Sequence, residues 1–375
     1  MSIARGVKAL VTGKYRFGQL WNWYKAYHFP WALDVKHDPP RLGVFLTTKC
    51  NMKCDFCLTH STIIEDNEFK YQGSDDMSMD TFKDILKKFP NTLIISFIGN
   101  GEPILNRNIY EMVKYAQSKK MRSTLFSNGL VMERFIEKII DSKIKTFNIS
   151  LNSIDPEEYE RFTGYKGTYF HKVVNNTRAL VEARNNSPDS DMEITATIMV
   201  DKQNYRDMGK MIKFSEELGI DQVILSHFMP WTTPGMTAEE RSIYSDDKEA
   251  MDYINELASK TYKVAVTFPT IFDGEKNNRL CRDNVLSMSI DGDGNVSGCE
   301  RKMLNTERNG KYWEKNVFNN EHFKYLRKIF ITKEEKLPDP CVTCFNNTTC
   351  ETKSTGKSSD QDQQADIKVD YKEIA

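Results

Sequence analysis

Leu42-Gly-Val-Phe-Leu-Thr-Thr48 runs directly into Lys49-Cys50-Asn-Met-Lys-Cys54-Asp-Phe-Cys57, an apolar, strand-like stretch that empties into a loop holding three cysteines within eight residues. Three thiolates so close can face one metal cluster, yet they cannot saturate a cubane of four irons, each of which normally takes one protein thiolate. One iron is left open, and an open iron on a low-potential cluster is a place for a small molecule to bind and accept an electron. The pattern makes the chain a redox enzyme candidate. The competing readings are zinc, which wants four closed ligands in paired sets, and a disulfide, which three crowded cysteines cannot satisfy among themselves.

Working outward from this loop, strand-like and helical runs alternate from residue 41 to about 230, a pattern that argues for parallel strands joined by helices. Strands are expected at Arg41–Thr48, Leu93–Gly99, Ser123–Ser127, Thr146–Leu151, Glu193–Val200 and Gln222–His227. Helices are expected at Asp80–Phe89, Asn108–Lys119, Met132–Ile140, Lys172–Arg184 and Arg206–Leu218. Six such units predict an α/β fold built as a partial (β/α)6 TIM-like barrel, with function at the C-terminal ends of the strands.

Bulk composition narrows the classes. The 375 residues allow one large domain and a smaller one. Lys and Arg number 52 against 53 Asp and Glu, a net charge of −1 that recruits neither nucleic acid nor anionic lipid globally. No apolar h-region opens the chain and no run of eighteen apolar residues occurs, so a cytoplasmic location is expected. There the eight cysteines read as metal ligands or reactive thiols before disulfides. Residues 1–40 mix Trp21, Trp23, Tyr24, Tyr27, Phe29 and Trp31 with Arg5, Lys8, Lys14, Arg16 and Lys25. That extension is expected to pack as a helix on the main domain, with peripheral membrane contact as the other reading. The polar end of the chain, residues 353–375, reads as a disordered tail.

The Cys-x3-Cys-x2-Cys spacing, with Phe56 just before the last cysteine, resembles the radical S-adenosylmethionine (AdoMet) enzymes. The resemblance implies a [4Fe-4S] cluster on Cys50, Cys54 and Cys57 whose open iron chelates AdoMet, one electron then cleaving it to a 5′-deoxyadenosyl radical. Gly99-Asn-Gly-Glu-Pro103 lacks the third glycine of a dinucleotide fingerprint. It is similar to the family's Gly-Gly-Glu-Pro motif, with Asn100 in place of a glycine, which implies that Gly101, Glu102 and Pro103 help to hold the AdoMet ammonium. Ser127-Asn128-Gly129 is similar to the Thr-Asn-Gly that ends the equivalent strand in many members, and Ser150-Leu-Asn152 resembles the strand end whose hydroxyl and carboxamide groups reach the ribose. Tyr159-Glu-Arg-Phe-Thr-Gly164 resembles the family's Arg-x-Thr-Gly turn, implying that Arg161 pairs with the AdoMet carboxylate. Ser226-His-Phe-Met-Pro-Trp231 follows the sixth strand, so His227 and Trp231 are substrate-contact candidates.

A second cysteine set follows: Cys281, Cys299, Cys341, Cys344 and Cys350. Between its first two members, Ser287-Met-Ser-Ile-Asp-Gly-Asp-Gly-Asn-Val-Ser297 reads as two short strands around a glycine turn. A calcium loop is rejected because Val296 sits where an EF-hand needs glycine. The spacing resembles the SPASM and twitch auxiliary modules appended to many radical AdoMet enzymes. Five thiolates cannot fill the eight iron positions of two clusters, so one twitch-like auxiliary [4Fe-4S] cluster is expected on Cys281, Cys299, Cys341 and Cys344. Cys350 is then spare or substituting, and structural zinc on the same thiolates remains the alternative. The expected organisation is an extension over 1–40, a radical AdoMet core over 41–268, an auxiliary domain over 269–352 and the tail.

The resemblance implies a radical enzyme that removes hydrogen from a substrate carbon. A two-electron oxidation or a new bond would follow, with the auxiliary cluster as electron acceptor and a flavodoxin or ferredoxin as reductant. Epimerisation with Cys350 as hydrogen donor and a peptide-modifying role are the alternatives. A non-catalytic iron–sulfur or zinc-binding protein would have no use for Glu102, Ser150 and Arg161 around an open cluster. Forty residues before the first strand are too few for a leader-binding winged helix. A small-molecule or lipid-linked substrate is therefore expected ahead of a peptide.

Overall fold

The computed structural model describes residues 13–28, 32–57, 59–62, 76–227, 238–271, 281–300, 309–333, 335–338, 341 and 344. Trp231, Cys350 and the tail expected to be disordered lie outside them.

The six expected strands form, as β1 (Arg41–Phe45), β2 (Ile94–Ile98), β3 (Arg122–Ser127), β4 (Thr146–Asn152), β5 (Glu193–Val200) and β6 (Gln222–His227). Each pairs in parallel with the next in sequence. Helices α1 (Phe17–His28), α2 (Met79–Lys88), α3 (Ile109–Ser118) and α4 (Ile136–Asp141) precede β1, β2, β3 and β4 respectively. Two helices, α5 (Pro156–Thr163) and α6 (Gly167–Asn185), fill the link from β4 to β5 where one was expected, and α7 (Met208–Leu218) leads to β6. The break between α5 and α6 is local. Gly164 takes φ +71°, a left-handed conformation that ends a helix cheaply only at glycine. On α5 itself Asp155 caps the first turn by accepting from Glu157 N–H and Glu158 N–H, with Pro156 at the helix start.

Three further strands extend this sheet: β7 (Ala265–Thr267), β8 (Ser287–Ile290) and β9 (Val296–Ser297). The spatial order is β7-β6-β5-β4-β3-β2-β1-β8-β9, all parallel except β9. Short helices α8 (Ala238–Arg241) and α9 (Lys248–Ala258) lie between β6 and β7. Helix α10 (Asp283–Leu286) runs into β8, and α11 (Glu321–Thr332) follows β9. The two ends of the sheet are not paired with each other, so the barrel is partial and open. The expected β-hairpin around Gly294 is β8–β9, and β8 zips against β1 from Arg41↔Ser287 to Val44↔Ile290. The sheet therefore continues across the boundary expected at residue 268.

Leu42, Val44, Ile95, Phe97, Phe147, Ile149, Ile194 and Ala196 are fully buried in this sheet, as befits parallel strands covered on both faces. From α2, Phe82, Ile85 and Leu86 pack onto it, with the Phe82 ring 5.6 Å from that of Phe97. Each such side chain contributes roughly 1.5–3 kcal/mol by leaving water. That burial, more than helix propensity, fixes the strand ends in space and so the loops that follow them.

Candidate active site

Three loops that leave the C-terminal ends of β1, β2 and β3 are tied together by hydrogen bonds. Gly101 N–H donates to Thr47 O at 3.0 Å and Glu102 N–H to Lys49 O at 2.8 Å, so the glycine loop after β2 lies along the approach to Cys50. A Cβ on Gly101 would overlap the Lys49 carbonyl; glycine is required there for close approach. Glu102 is 2 % exposed and caps the short 3₁₀ turn Pro103–Leu105 by accepting from Ile104 N–H. Its other carboxylate oxygen accepts from Asn128 N–H at 2.7 Å. The Asn128 side chain continues the chain of contacts, donating to Asn51 Oδ1 at 2.8 Å inside the cysteine loop. Ser127 Oγ accepts from Gly129 N–H, which shapes the turn after β3.

Cys50, Cys54 and Cys57 are half-buried thiols outside any disulfide. Burial first, then Glu102 and Cys57, pushes Cys50 up to about 11. Burial, then Cys57, Cys50 and Asp55, pushes Cys54 up to about 12, and burial also raises Cys57. The three thiols thus lie within electrostatic reach of one another in a dry loop that disfavours thiolates until a metal charge reverses the balance. Among the described residues no three Cys, His, Asp or Glu side chains converge as ligands of a single metal ion. A cubane asks for a wider arrangement, one thiolate to each of three irons.

Unsatisfied groups lie beside these thiols. Both side-chain atoms of Asn100, Asn51 Nδ2 and His60 Nε2 are buried without a hydrogen-bond partner. Glu102 is pushed up to about 7 by burial, against hydrogen bonds from Asn128, Ser127 and Ile104, and among the described residues no cation influences it. A buried carboxylate lacking a cation, next to idle amides, suits a polar ligand carrying an ammonium. The donor set fits a cluster with AdoMet: Cys50, Cys54 and Cys57 for iron, Glu102 and Asn100 for the amino acid end.

The remaining expected residues fall as follows. Ser150 and Asn152 end β4 at an irregularity in its pairing with β5, where Asn152 is buried and takes φ +64°. Such a bulge re-aims a strand's last side chains. Phe56 is half-buried in the cysteine loop, and Pro103 is buried at the start of its 3₁₀ turn. Arg161 does not point at an empty space: its guanidinium holds Asp201 at 2.9 Å and Glu158 at 3.2 Å. The rest of its turn serves the cysteine loop, since Gly164 abuts Asp55 so closely that a Cβ would lie 2.7 Å from Oδ1. Tyr165 Oη accepts from Lys53 N–H at 2.8 Å. His227 is 8 % exposed and its Nε2 accepts from Ile243 N–H at 2.7 Å; burial holds it at about 4. It is a buried, neutral group bonded to the backbone at the end of β6, where a substrate contact was expected.

Asn51, His60 and Tyr165 were not anticipated. Asn51 and His60 flank the cysteines and were legible as polar residues in a ligand loop; Tyr165 is brought in by the α5–α6 break and carries no local signal.

In the second cysteine set, Cys281 is raised well above the usual thiol value by burial, then by Asp283, Cys344 and Cys299. Cys344 N–H donates to Cys341 O at 3.4 Å, and Cys341 N–H to Pro338 O at 2.7 Å, forming a tight knuckle. These contacts put Cys299 and Cys344 within electrostatic reach of Cys281, with Cys341 hydrogen-bonded through its backbone to Cys344; among the described residues these sulfurs do not converge on a single metal ion.

Residues 44–215 match the Radical SAM superfamily. Over 337 residues the chain is 24 % identical to the tungsten-containing aldehyde ferredoxin oxidoreductase cofactor-modifying protein of Pyrococcus furiosus, covering 82 % of this chain and 87 % of that one. The fold is similar to Streptococcus suis SuiB bound to S-adenosylmethionine, with TM-score 0.56 at 17 % identity over 81 % of this chain and 67 % of SuiB. It is also similar to anSMEcpe with bound AdoMet, with TM-score 0.56 at 17 % identity over 82 % and 87 %.

Proposed function

With residues 44–215 forming a radical SAM domain, we propose that this chain uses AdoMet to abstract hydrogen from a substrate carbon and completes a two-electron oxidation or bond formation through an auxiliary cluster. The observation that carries the reading is Glu102, a buried carboxylate without a cation, wired to the cysteine loop through Asn128 and Asn51.

When bound, a cluster with AdoMet supplies an electron and a deoxyadenosyl radical. The protein's own part is positioning. Cys50, Cys54 and Cys57 would hold a cluster through three thiolates. Glu102 would offer negative charge to an ammonium, and the Asn100 carboxamide would gain the partners it lacks. Ser150 and Asn152, re-aimed by the bulge in β4, stand at the next strand end, where ribose hydroxyls would be met. Sequestering these groups from water protects a reactive intermediate from side reactions.

Cys281, Cys299, Cys341 and Cys344 are the proposed ligands of the auxiliary cluster, which would take the electron left on the substrate. A small-molecule substrate is favoured, in keeping with a relative named for modifying a cofactor. Metal analysis after strictly anaerobic purification tests the second centre. About eight irons per chain, falling to about four in a Cys281→Ala variant that still forms 5′-deoxyadenosine, are expected. Zinc in place of the second set of irons would remove the electron-acceptor role.

A further inference from the structure

We infer that α1 docks on anionic lipid and that it does so from the side of the molecule opposite the candidate active site. The helix is turned inside out relative to an ordinary amphipathic helix. Its inward stripe is Gln19, Asn22 and Ala26, with Leu20 beside it, all buried. The Gln19 amide donates to the carbonyls of Thr92 at 2.9 Å and Lys120 at 3.1 Å. Asn22 donates to Asp38 O at 3.0 Å and accepts from Asp38 N–H at 2.8 Å. Polar anchors therefore fix the inward face of the helix against the segments that precede β1, β2 and β3.

The outward stripe is aromatic. Phe17, Trp21 and Tyr24 are 68 %, 51 % and 39 % exposed, and they continue to His28 along the i, i+4, i+7, i+11 positions that share one face. Phe17 stacks on Trp21 at 6.5 Å and Trp21 on Tyr24 at 5.4 Å, and the His28 ring lies tilted against Tyr24 at 4.3 Å. Trp and Tyr have an apolar body and a polar tip, the chemistry favoured at a lipid–water boundary.

Charge selects the occupant. Residues 1–28 contain Arg5, Lys8, Lys14, Arg16 and Lys25 and no Asp or Glu, in a chain whose net charge is −1. Lys25 and Arg16 donate to backbone carbonyls, of Lys36 and Pro90, rather than to carboxylates. An aromatic stripe on a locally basic, acid-free segment supplies the two signals, apolar and electrostatic, that stable interfacial binding requires. Among the described residues no helix is long and apolar enough to cross a membrane, so α1 would lie in the interface plane.

The orientation follows from the anchors. Thr92 and Lys120 precede β2 and β3, whereas the loops holding Cys50, Glu102 and Asn128 follow β1, β2 and β3. Lipid contact would place the enzyme at a membrane with its reactive mouth turned away from the bilayer.

Co-sedimentation of the full chain with vesicles of phosphatidylcholine and phosphatidylglycerol, set against phosphatidylcholine alone, tests this. Binding to the mixed vesicles only, weakened by salt and roughly tenfold weaker in a Phe17→Ser, Trp21→Ser, Tyr24→Ser variant, is expected. That variant should keep its far-ultraviolet circular dichroism and its AdoMet cleavage; Trp21→Ser alone, and the salt dependence of the unaltered protein, carry the test if it does not fold. No binding to mixed vesicles, or binding that the substitutions leave unchanged, would overturn the inference. So would a dimer that the substitutions dissociate in the absence of vesicle binding, which would assign the stripe to a second copy. Removal of residues 1–12 that raises quenching of tryptophan emission, again without vesicle binding, would assign it to the chain's own N-terminal segment.

Discussion

The Glu102 carboxylate accepts the Asn128 backbone N–H at 2.7 Å, and through that bond the glycine loop after β2 and the turn after β3 become one rigid wall beside Cys50. The same carboxylate is the only charge this wall offers to a ligand ammonium in the proposed reading. Glu102→Gln removes the charge and keeps one acceptor oxygen, so one of the two backbone donors, Ile104 N–H or Asn128 N–H, faces an amide NH2 instead. AdoMet affinity should fall by about 1.5–3 kcal/mol in Glu102→Gln, with a smaller loss of thermal stability than in Glu102→Ala. Glu102→Ala should lose a similar amount of affinity and about 1–3 kcal/mol of stability, because the buried Ile104 N–H and the partly buried Asn128 N–H are then left unpaired. Calorimetric titration with AdoMet beside thermal melts separates the two; unchanged affinity in the Gln variant would show that the carboxylate serves the fold alone.

Gly101 is the tightest point of the site. Gly101→Ala must displace the Lys49 backbone and should cost about 1–3 kcal/mol or more, the range for overpacking, with loss of reconstituted iron because Cys50 follows Lys49. At Gly99 a Cβ would meet the Gly101 and Thr47 carbonyl oxygens at 3.1 and 3.2 Å, so Gly99→Ala should be milder. Urea midpoints and iron content of the two variants rank them, and the reverse order would contradict this packing.

Arg161 shows how a motif can be legible while the role of its most prominent residue is not. The turn ending in Gly164 abuts the cysteine loop at Asp55. The guanidinium, however, goes to Asp201, which also receives Arg241 at 2.8 Å. Burial opposes ionisation of Asp201, and the two arginines outweigh it and hold the carboxyl below its usual range. Arg161→Ala should therefore lower stability by about 1.5–3 kcal/mol while AdoMet affinity stays within about twofold. A tenfold loss of affinity at unchanged stability would restore the carboxylate-binding role.

Acid should weaken the fold through His227. Its folded value, about 4, lies below the ordinary 6.5 because burial disfavours the imidazolium. The unfolded chain therefore binds the proton more readily between those values. Stability is full above pH 6.5 and is lost as pH falls towards 4, by up to about 3 kcal/mol from this group. His37, lowered to about 4 by burial, adds in the same direction. Chemical denaturation at stepped pH should show the decline, and His227→Gln should flatten it; a profile unaltered by that substitution would mean that other groups set the acid limb.

The strands of the core were legible because parallel strands buried on both faces read as apolar runs with polar ends, as β4 does from Thr146 to Asn152. Their C-terminal ends located the cysteine, glycine and Ser-Asn-Gly loops. The hairpin β8–β9 was legible from its glycine turn although Val296–Ser297 is only two residues long, whereas β7 was not expected and the pairing of β8 with β1 joins residues about 250 positions apart with no local signal. The site's partners were hidden for the same reason. Nothing in Asn128 or Tyr165 announces that Glu102 and Lys53 will be their partners; the folded topology makes those contacts. His227 was misleading because a histidine at a strand end looks reactive until the Ile243 N–H is seen occupying it.

The central claim is that Cys50, Cys54 and Cys57 hold the cluster that cleaves AdoMet. The most direct measurement is 5′-deoxyadenosine release by anaerobically reconstituted protein with AdoMet and dithionite, for the unaltered chain and for the triple variant Cys50→Ala, Cys54→Ala, Cys57→Ala. The account predicts release by the unaltered chain and none by the variant, which should also lose about four irons; cleavage that persists in the variant would contradict it.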